Sequence, residues 1–547
     1  MVSDFSHHTK SSTRALGLMA VFIFFFAFAA FPTQSFGQAT SAWVYYNSHG
    51  KLQYATDSAG NRIVDYSTAG YGGGGVSLPK VATRATVYPS GADDTAAIQS
   101  AIDTVSALQP NRKGFRGTVL LAPGAFNISA TLRITTSGVV LAGSGSGSNG
   151  SVLTMTGSPF TLLSVAGSGT YLRGPSVAIT DAFVPSGAKS FTVSNASSFK
   201  VGDNILVIRP VTEPWVHFME MDTLVRNGLP QTWIAAGSEI LTDRSIIAIR
   251  GNRISIDAPL TDSFDSQYLN PPGGSVAGYT FAGRITQVGI EHLSIVAPGQ
   301  EVSGAQYQAV SMNNVQNGWL LDLNVQDTEN SISLANATKR ITLESVNVVH
   351  TYRQSSSAAP TDFALSGTEL LANNCTVTGH GNTWPFVTHT RVTGPIVILN
   401  AYADDRGFGP HQRWATGLLC DLCRFPSSYT GDKAGVAYSN RGFFGSGHGW
   451  DAGWSVAWNV TTTYFLIQAP PGTNNWCIGC VGTALSEAAP GGDGTLQPNG
   501  IYDSPGIPVT PGSLYLAQLK QRLGIAALHN IGYADVDGTP LECKVSK

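Results

Sequence analysis

From Gly289 to Gly482 the chain alternates apolar with small polar residues in short runs that keep returning. Eight runs stand out: GIEHLSIVA from Gly289, GWLLDLNVQ from Gly318, RITLESVNVV from Arg340, LLANNCTVTG from Leu370, PIVILNAYA from Pro395, GLLCDLCRF from Gly417, SVAWNV from Ser455 and NWCIGCVG from Asn475. Alternation over such lengths predicts strands, and the Gly and Asn at their ends predict turns. The runs recur unevenly, often at roughly 20–30 residues, the period of stacked coils in a solenoid. One coil cannot bury its own apolar face. Stacked coils bury a continuous core and leave a long lateral groove.

The flanks predict how such a stack is closed and decorated. A Gly-rich opening segment at 60–75 permits tight backbone turns. Asp93 or Asp94 can cap a helix whose apolar stripe is Ala97, Ile98, Ala101 and Ile102. Two strands around a Pro-Gly turn follow at 117–134, then Val139-Val-Leu-Ala-Gly-Ser-Gly145. The pattern changes at 188–260, where a strand at 199–208 and a hairpin at 246–256, with Gly251-Asn252 at its tip, predict a small β insertion. Trp215, His217, Phe218 and Trp233 of that insertion are candidates for one wall of the groove, against the plainer reading of core packing. Ser513 caps a helix with Leu516, Leu519 and Leu523 on one face. The solenoid domain is thus expected over 38–536, with a loose tail at 537–547.

The Asp-Asp-Thr-Ala-Ala-Ile-Gln helix at 93–99, the Leu-Leu-Ala-Pro-Gly turn at 120–124 and the Val-Leu-Ala-Gly-Ser-Gly strand at 140–145 resemble the start of the pectate-lyase-like superfamily, in its rhamnogalacturonase and epimerase-like branch. The resemblance covers most of the chain. It implies an all-β fold, a single-stranded right-handed parallel β-helix, to which the residue pattern adds the N-terminal capping helix, the small β insertion and the C-terminal helix.

Charged residues are only 12% of the 547 and Gly totals 61, a composition that suits tight-turned β structure and argues against a helical bundle. The net charge of -3 gives no electrostatic case for nucleic acid. Lys10 and Arg14 precede an apolar run from Ala15 to Phe31, with small residues Ser35 and Gly37 beyond. This reads as a cleaved secretory leader over 1–37, and hence a secreted or periplasmic protein with no membrane attachment after cleavage. Of the six Cys, Cys420-x-x-Cys423 and Cys477-x-x-Cys480 have zinc-like spacing, but they sit on strand-like runs, so disulfides or stacked buried thiols are expected instead.

Five of the eleven His lie between His350 and His448, together with Arg353, Arg391, Arg406, Arg413, Arg424 and Arg441. Three segments between runs stand out: Asp404-Asp-Arg-Gly-Phe-Gly-Pro-His-Gln-Arg-Trp414, Asn440-Arg-Gly442 and Gly445-Ser-Gly-His-Gly-Trp450. β-Elimination on a uronate polymer needs a base for the proton beside the carboxylate and a cation or metal for the enolate. His411 or His448 is a candidate base. Arg413 and Arg441 are candidates for carboxylate binding, with His411 and Arg413 sharing a face if that segment is extended. Asp404 or Asp405 can orient a His or bind Ca²⁺, the one cofactor considered, with no metal ligand set assigned. Arg406, His380, Arg353, Trp414 and Trp450 complete the candidate binding residues. His350 with Tyr352 is a further candidate, and Asp421, on a run, is expected to hydrogen-bond within the stack.

Two other classes compete. Asp404 and Asp405 with Gly447-His448-Gly449 resemble pieces of the polygalacturonase family on this fold, which implies hydrolysis by two carboxylates. The family's Asn-Thr-Asp and Arg-Ile-Lys pieces are missing where expected, and adjacent strand residues point to opposite faces. A non-catalytic sugar-binding β-helix would use Trp384, Trp414, Trp450 and Trp454 as stacking platforms, yet it has no need of clustered His and Arg. The expected reading is a monomeric enzyme acting on an acidic polysaccharide, by elimination before hydrolysis. Lys is scarce on the runs, with only Lys339 and Lys433 between Lys200 and Lys520, so His or Arg takes the base role.

Overall fold

The structure, a computed structural model, describes residues 38–299, 306–353 and 360–541. The expected leader at 1–37, Cys543 and the last six residues lie outside them. The eight runs do stack in parallel, coil on coil, as the right-handed parallel β-helix expected. Each run is not one straight strand, however. At its middle sits a residue with left-handed backbone: His292, Asp322, Ser345, Asn374, Asn400, Leu422 and Asn459, with φ between 49° and 57°, and Gly479 at 66°. The kink passes the chain from one sheet to the next.

The first sheet holds the leading halves of Ile285–Val296, Val315–Gln326 and Lys339–Val349, then Leu370–Asn373, Val392–Leu399, Ala415–Asp421, Val456–Trp458 and Trp476–Ile478. The second holds the trailing halves, Thr376–Thr378, Tyr402–Ala403, Arg424–Phe425 and Thr461–Ile467. A third runs through Leu132–Ile134, Thr161–Ala166, Gln308–Asn313, Ile332–Leu334, Thr361–Leu365 and Trp384–Val387, and bridges from Phe386 to Phe408 and from Phe408 to Val436 extend it. Left-handed backbone costs a side-chain-bearing residue about 1–2 kcal/mol. Asn, Asp and Gly tolerate it best, which is why they recur at the kink. The coil ladder also continues through it. Asn374 N donates to Leu399 O at 3.1 Å, Asn400 N to Asp421 O at 2.9 Å and Leu422 N to Trp458 O at 3.1 Å.

The residues on either side of the kink point inward and stack in columns. One column is Leu343, Ala372, Ile398, Cys420, Ala457 and Cys477; the other is Val346, Cys375, Ala401, Cys423, Val460 and Cys480, and all are buried. The two Cys-x-x-Cys pairs therefore mark core positions flanking a kink. The five described Cys are free, and the thiols of Cys375, Cys423 and Cys480 each donate to a carbonyl of the preceding coil. Of the sequence alternatives, stacked buried thiols are what the fold shows.

Helix α1, Thr95–Ser106, closes one end of the core with Ile98, Ile102 and Val105. Asp93 accepts Thr95 N at 2.9 Å and Ser129 Oγ at 2.5 Å, and Asp94 accepts Ser90 N at 2.9 Å and Asn127 N at 3.3 Å, so both aspartates tie the helix start to its turn and to the next coil. Helix α2, Leu514–Leu523, lies on the side of the stack. With Val44, Leu52 and Tyr66 from the N-terminal segment it covers Val397, Leu419, Trp458 and Trp476 on the outer face of the first sheet. Val392–Leu399 and Ala415–Asp421 are consequently buried at every position. No groove is left on that face. Beyond α2 the chain folds back: Ala534 N donates to Thr539 O and Leu541 N to Gly532 O, both at 2.8 Å, so the part of the expected tail up to Leu541 is tied down.

The insertion is a six-stranded antiparallel sheet whose strands run from Leu172–Ala178 to Ser275–Thr280, to either side of the 188–260 segment. Its hairpin turns at Gly251-Asn252 as expected. Buried charge anchors it to the coils: Arg244 reaches Gly394 O at 2.7 Å, and Asp243 pairs with Lys339 at 2.9 Å and Arg284 at 2.8 Å. Its apolar core takes Trp215 and Trp233 away from any groove wall, and also draws in Trp414 and Trp450 from the coils. His217 is exposed and paired with Asp222, while Phe218 stacks on Tyr268. No helix among the described residues is long and apolar enough to cross a membrane.

Candidate functional site

The third sheet ends, coil after coil, in a corner where the chain turns toward the insertion. The register Phe363↔Phe386 and the bridge Phe386↔Phe408 align Ser366, His389 and His411 at the same place on three successive coils. Ser366 Oγ meets His389 Nδ1 at 2.8 Å, and the His389 and His411 rings lie edge to face at 5.8 Å. His448 arrives from elsewhere. Residues 444–449 form a kinked turn, with Gly445 at φ 58° and Gly447 at 88°, which packs its His448 ring edge to face on His411 at 4.7 Å. A Cβ on Gly445 would stand 2.0 Å from His448 Nε2, so glycine is required there.

These three imidazoles line one cavity of about 690 Å³ with Arg226, Trp384, Asp432, Lys433 and Arg441. Burial, then the Arg441, His389 and Arg413 charges, pushes His411 down to about 4. Burial, then Arg441, His411, Arg413 and Arg226, pushes His448 down to about 3. Burial alone lowers His389. All three rings are therefore neutral at pH 7, and Nδ1 of both His411 and His448 is buried without a partner. Arg441 is tightly held: it pairs with Asp432 at 2.6 Å, donates to His411 O, and sits 5.2 Å over the Trp384 ring. Lys433 is exposed at the cavity, and among the described residues no ion pair engages it.

The expected residues therefore divide. His411, His448 and Arg441 come together. Arg413 does not join them: left-handed backbone at Arg413 and Trp414, φ 55° and 69°, breaks the extended segment that would have given His411 and Arg413 a common face. The Arg413 guanidinium instead holds the turn, donating to Gly447 O at 3.2 Å and to Ser446 O at 2.8 Å. Trp414 and Trp450 are each 1% exposed, so neither offers the open stacking face that was expected. Trp414 Nε1 donates to Asp262, and Trp450 Nε1 to Met219 O, because the insertion needs those rings as core. Trp454 is also buried, against Trp476.

Asp404 and Asp405 are absent from the cavity. Asp404 accepts Gly379 N at 2.8 Å and Tyr402 Oη at 2.6 Å. Asp405 pairs with exposed His380 at 2.6 Å, which raises the His380 pKa, and lies 3.9 Å from Arg353. Among the described residues no three His, Cys, Asp or Glu side chains are grouped to hold a metal ion, so the calcium considered at Asp404 or Asp405 finds no ligand set there. Arg406 is buried beneath Trp384 at 4.6 Å and bonds Asn382, out of reach of a ligand. His350 belongs to a buried network. Burial works against its charge, but Asp362 at 3.0 Å leaves its pKa raised. Asp421 bonds the N-terminus of α2, taking Ser513 Oγ at 2.7 Å and Tyr515 N at 2.8 Å, where a bond within the stack was expected.

Sequence reasoning missed His389, Arg226 and any role for Lys433. Val387-Thr-His-Thr390 has no glycine or acidic flank to flag it. Aligning Phe386 with Phe408 would have placed His389 beneath His411. Arg226 comes from the insertion, where its guanidinium donates to Gly445 O, and sequence carries no signal for that contact.

No protein-family profile and no curated protein matches the chain. Among solved structures it is similar to the Gp54 tailspike of Acinetobacter baumannii bacteriophage AP22, solved with A. baumannii capsular saccharide, at 9% identity and TM-score 0.35 over 71% of this chain and 51% of that one. A tailspike of E. coli bacteriophage HK620 matches at 11% identity and TM-score 0.39, over 82% and 68% of the two chains. The Streptococcus pneumoniae surface adhesin PfbA matches at 10% and 0.38, over 74% and 80%. The chain spans about half the length of the first of these. Likenesses this distant do not say what it binds.

Proposed function

We propose that the protein is a polysaccharide lyase that cleaves a uronate-bearing polymer by β-elimination in the His389–His411–His448 cavity. The observation that carries this reading is the composition of the cavity wall: three neutral imidazoles, three cations, and one carboxylate, Asp432, already taken by Arg441. Hydrolysis by the common route needs two free carboxylates facing the bond, and the cavity offers none. An anionic sugar, by contrast, meets Lys433 and Arg226 at the rim.

The roles follow from position. Lys433, with Arg226, neutralises the sugar carboxylate and so stabilises the enolate that forms as the adjacent proton leaves. His411 is the base, the half-buried ring of the pair, with neutral His448 packed behind it. The arriving carboxylate brings a negative charge into the cavity and so raises the affinity of His411 for a proton as substrate binds. Arg441, fixed by Asp432 and Trp384, hydrogen-bonds the leaving oxygen, which takes up the proton that His411 removed, directly or through water. Arg413 positions the 444–449 turn and touches no substrate.

The test is a panel of uronate and neutral polysaccharides read for both ultraviolet absorbance and reducing ends. Elimination leaves a conjugated unsaturated uronate, so both signals rise together. Reducing ends without absorbance would overturn the reading in favour of hydrolysis, and neither signal would overturn it in favour of binding alone.

A further inference from the structure

A second cavity, of about 430 Å³, lies between the insertion sheet and the same corner of the coils. Its wall includes Tyr171 and Glu239 from the insertion side and Asn336, Ser366 and Arg391 from the coils. It lies next to the first cavity. Ser366 lines the second and His389 lines the first, and the two are hydrogen-bonded at 2.8 Å. The segment from His389 to Arg391 is thus a shared wall, and Asn336 Nδ2 reaches across to Thr390 O at 3.4 Å.

The charges of the second cavity are mostly settled. Arg173 pairs with Glu239 at 2.6 Å, and Asp243 is taken by Lys339 and Arg284. Arg391 differs. Its Nη1 donates only to the Glu239 carbonyl, at 3.1 Å, and no carboxylate lies within 4.0 Å of it among the described residues. A half-buried guanidinium with donors to spare, beside a hydroxyl, an amide and an aromatic ring, is suited to a sugar carboxylate.

We propose that this second cavity is an outlying subsite for the same acidic polymer, in which Arg391 binds the carboxylate of a uronate residue beyond the one that reacts. This rests on the elimination reading of the first cavity. The path is the Ser366–His389–His411 column. A polymer crossing the shared wall at Thr390 has one residue against His411 and another against Arg391. Ser366 takes a positioning role as well, since its bond to Nδ1 leaves Nε2 of His389 free toward the first cavity.

The experiment compares wild type with Arg391→Ala and Arg391→Lys on uronate oligomers of increasing length, read by ultraviolet absorbance and by titration calorimetry. Losing a charge-assisted carboxylate bond predicts about a tenfold or greater fall in kcat/KM for Arg391→Ala on long oligomers. The shortest cleaved oligomer, filling the first cavity alone, is turned over as by wild type. That control also shows the variant is folded, and Arg391→Lys recovers part of the loss. An equal loss at every length, or none, overturns the subsite while leaving the lyase reading intact. If wild type neither cleaves nor binds any uronate oligomer, both fall.

Discussion

Asp421→Asn should remove a specific pH dependence from the stability of the coil stack. Asp421 is fully buried under α2, where it accepts from Ser513 Oγ and Tyr515 N, and its second oxygen has no partner. Burial dominates these bonds and pushes its pKa up to about 7 from 3.8. The folded protein therefore holds this proton where the unfolded chain has released it. Stability contributed by the protonated form is intact below about pH 4, is lost as pH rises toward about 7, and changes no further above that. About three pKa units at 1.36 kcal/mol each amounts to about 4 kcal/mol across the window. Asparagine keeps the accepting oxygen for α2 and cannot ionise, at a pH-independent cost of about 1–3 kcal/mol for an unpartnered amide. Other groups slope the wild-type curve too. Asp451 is raised and adds to the fall, while His411 and His448 are lowered and oppose it below about 6.5. The difference between the two proteins isolates Asp421. Urea midpoints measured every half unit from pH 4 to 8 should show the variant gaining about 4 kcal/mol on wild type between the ends of the window. A constant difference would refute the reasoning and place the proton elsewhere.

Three further outcomes follow from the site and the core. On the acid side, kcat/KM should stay high down to about pH 4, where His411 in the free enzyme takes up its proton and the base is lost; a limb near 6.5 would point to an unperturbed imidazole instead. His411→Ala should lower kcat by about 100-fold or more, whereas Asp404→Asn and Asp405→Asn should each retain activity within about threefold, since neither carboxylate lines the cavity. A 100-fold loss in either Asp variant would restore the hydrolase reading. The five described thiols should resist a thiol reagent until denaturant is added, and a reductant should leave the melting temperature unchanged, because they fill core columns without pairing.

Much of the fold is legible in the sequence because its repeating unit is local. Each run writes out an inward residue, a kink and another inward residue, and the kink prefers the residue types that tolerate left-handed backbone. The exceptions show the limit of that code. Ser345 and Leu422 occupy kinks with φ of 54° and 55°, and nothing in their chemistry asks for it. The stacked neighbours above and below hold them there. The short apolar stretches Ile396–Leu399 and Leu418–Cys420 carried a second message, namely that this sheet is covered on both faces. It becomes legible only once α2 is known to lie alongside.

The site was less legible because the concentration of His and Arg is two networks, not one. His350 and His380 belong with Asp362 and Asp405, in paired arrangements that settle their charge. His389, His411 and His448 belong with Arg441 in a cavity where charge is left unsettled. Position along the chain mixes the two, since His380 and His389 are close in sequence but serve different networks. What separates them is coil register, which the Phe386–Phe408 bridge marks, and the reach of the insertion, whose Trp233 donates to Trp450 O at 3.1 Å beside the 444–449 turn. The insertion therefore does more than decorate the stack. It draws Trp414 and Trp450 into its own core, and these two residues adjoin the left-handed backbone at Arg413 and the 444–449 turn that packs His448 on His411. A pair of neutral rings beside a pinned arginine depends on this long-range packing.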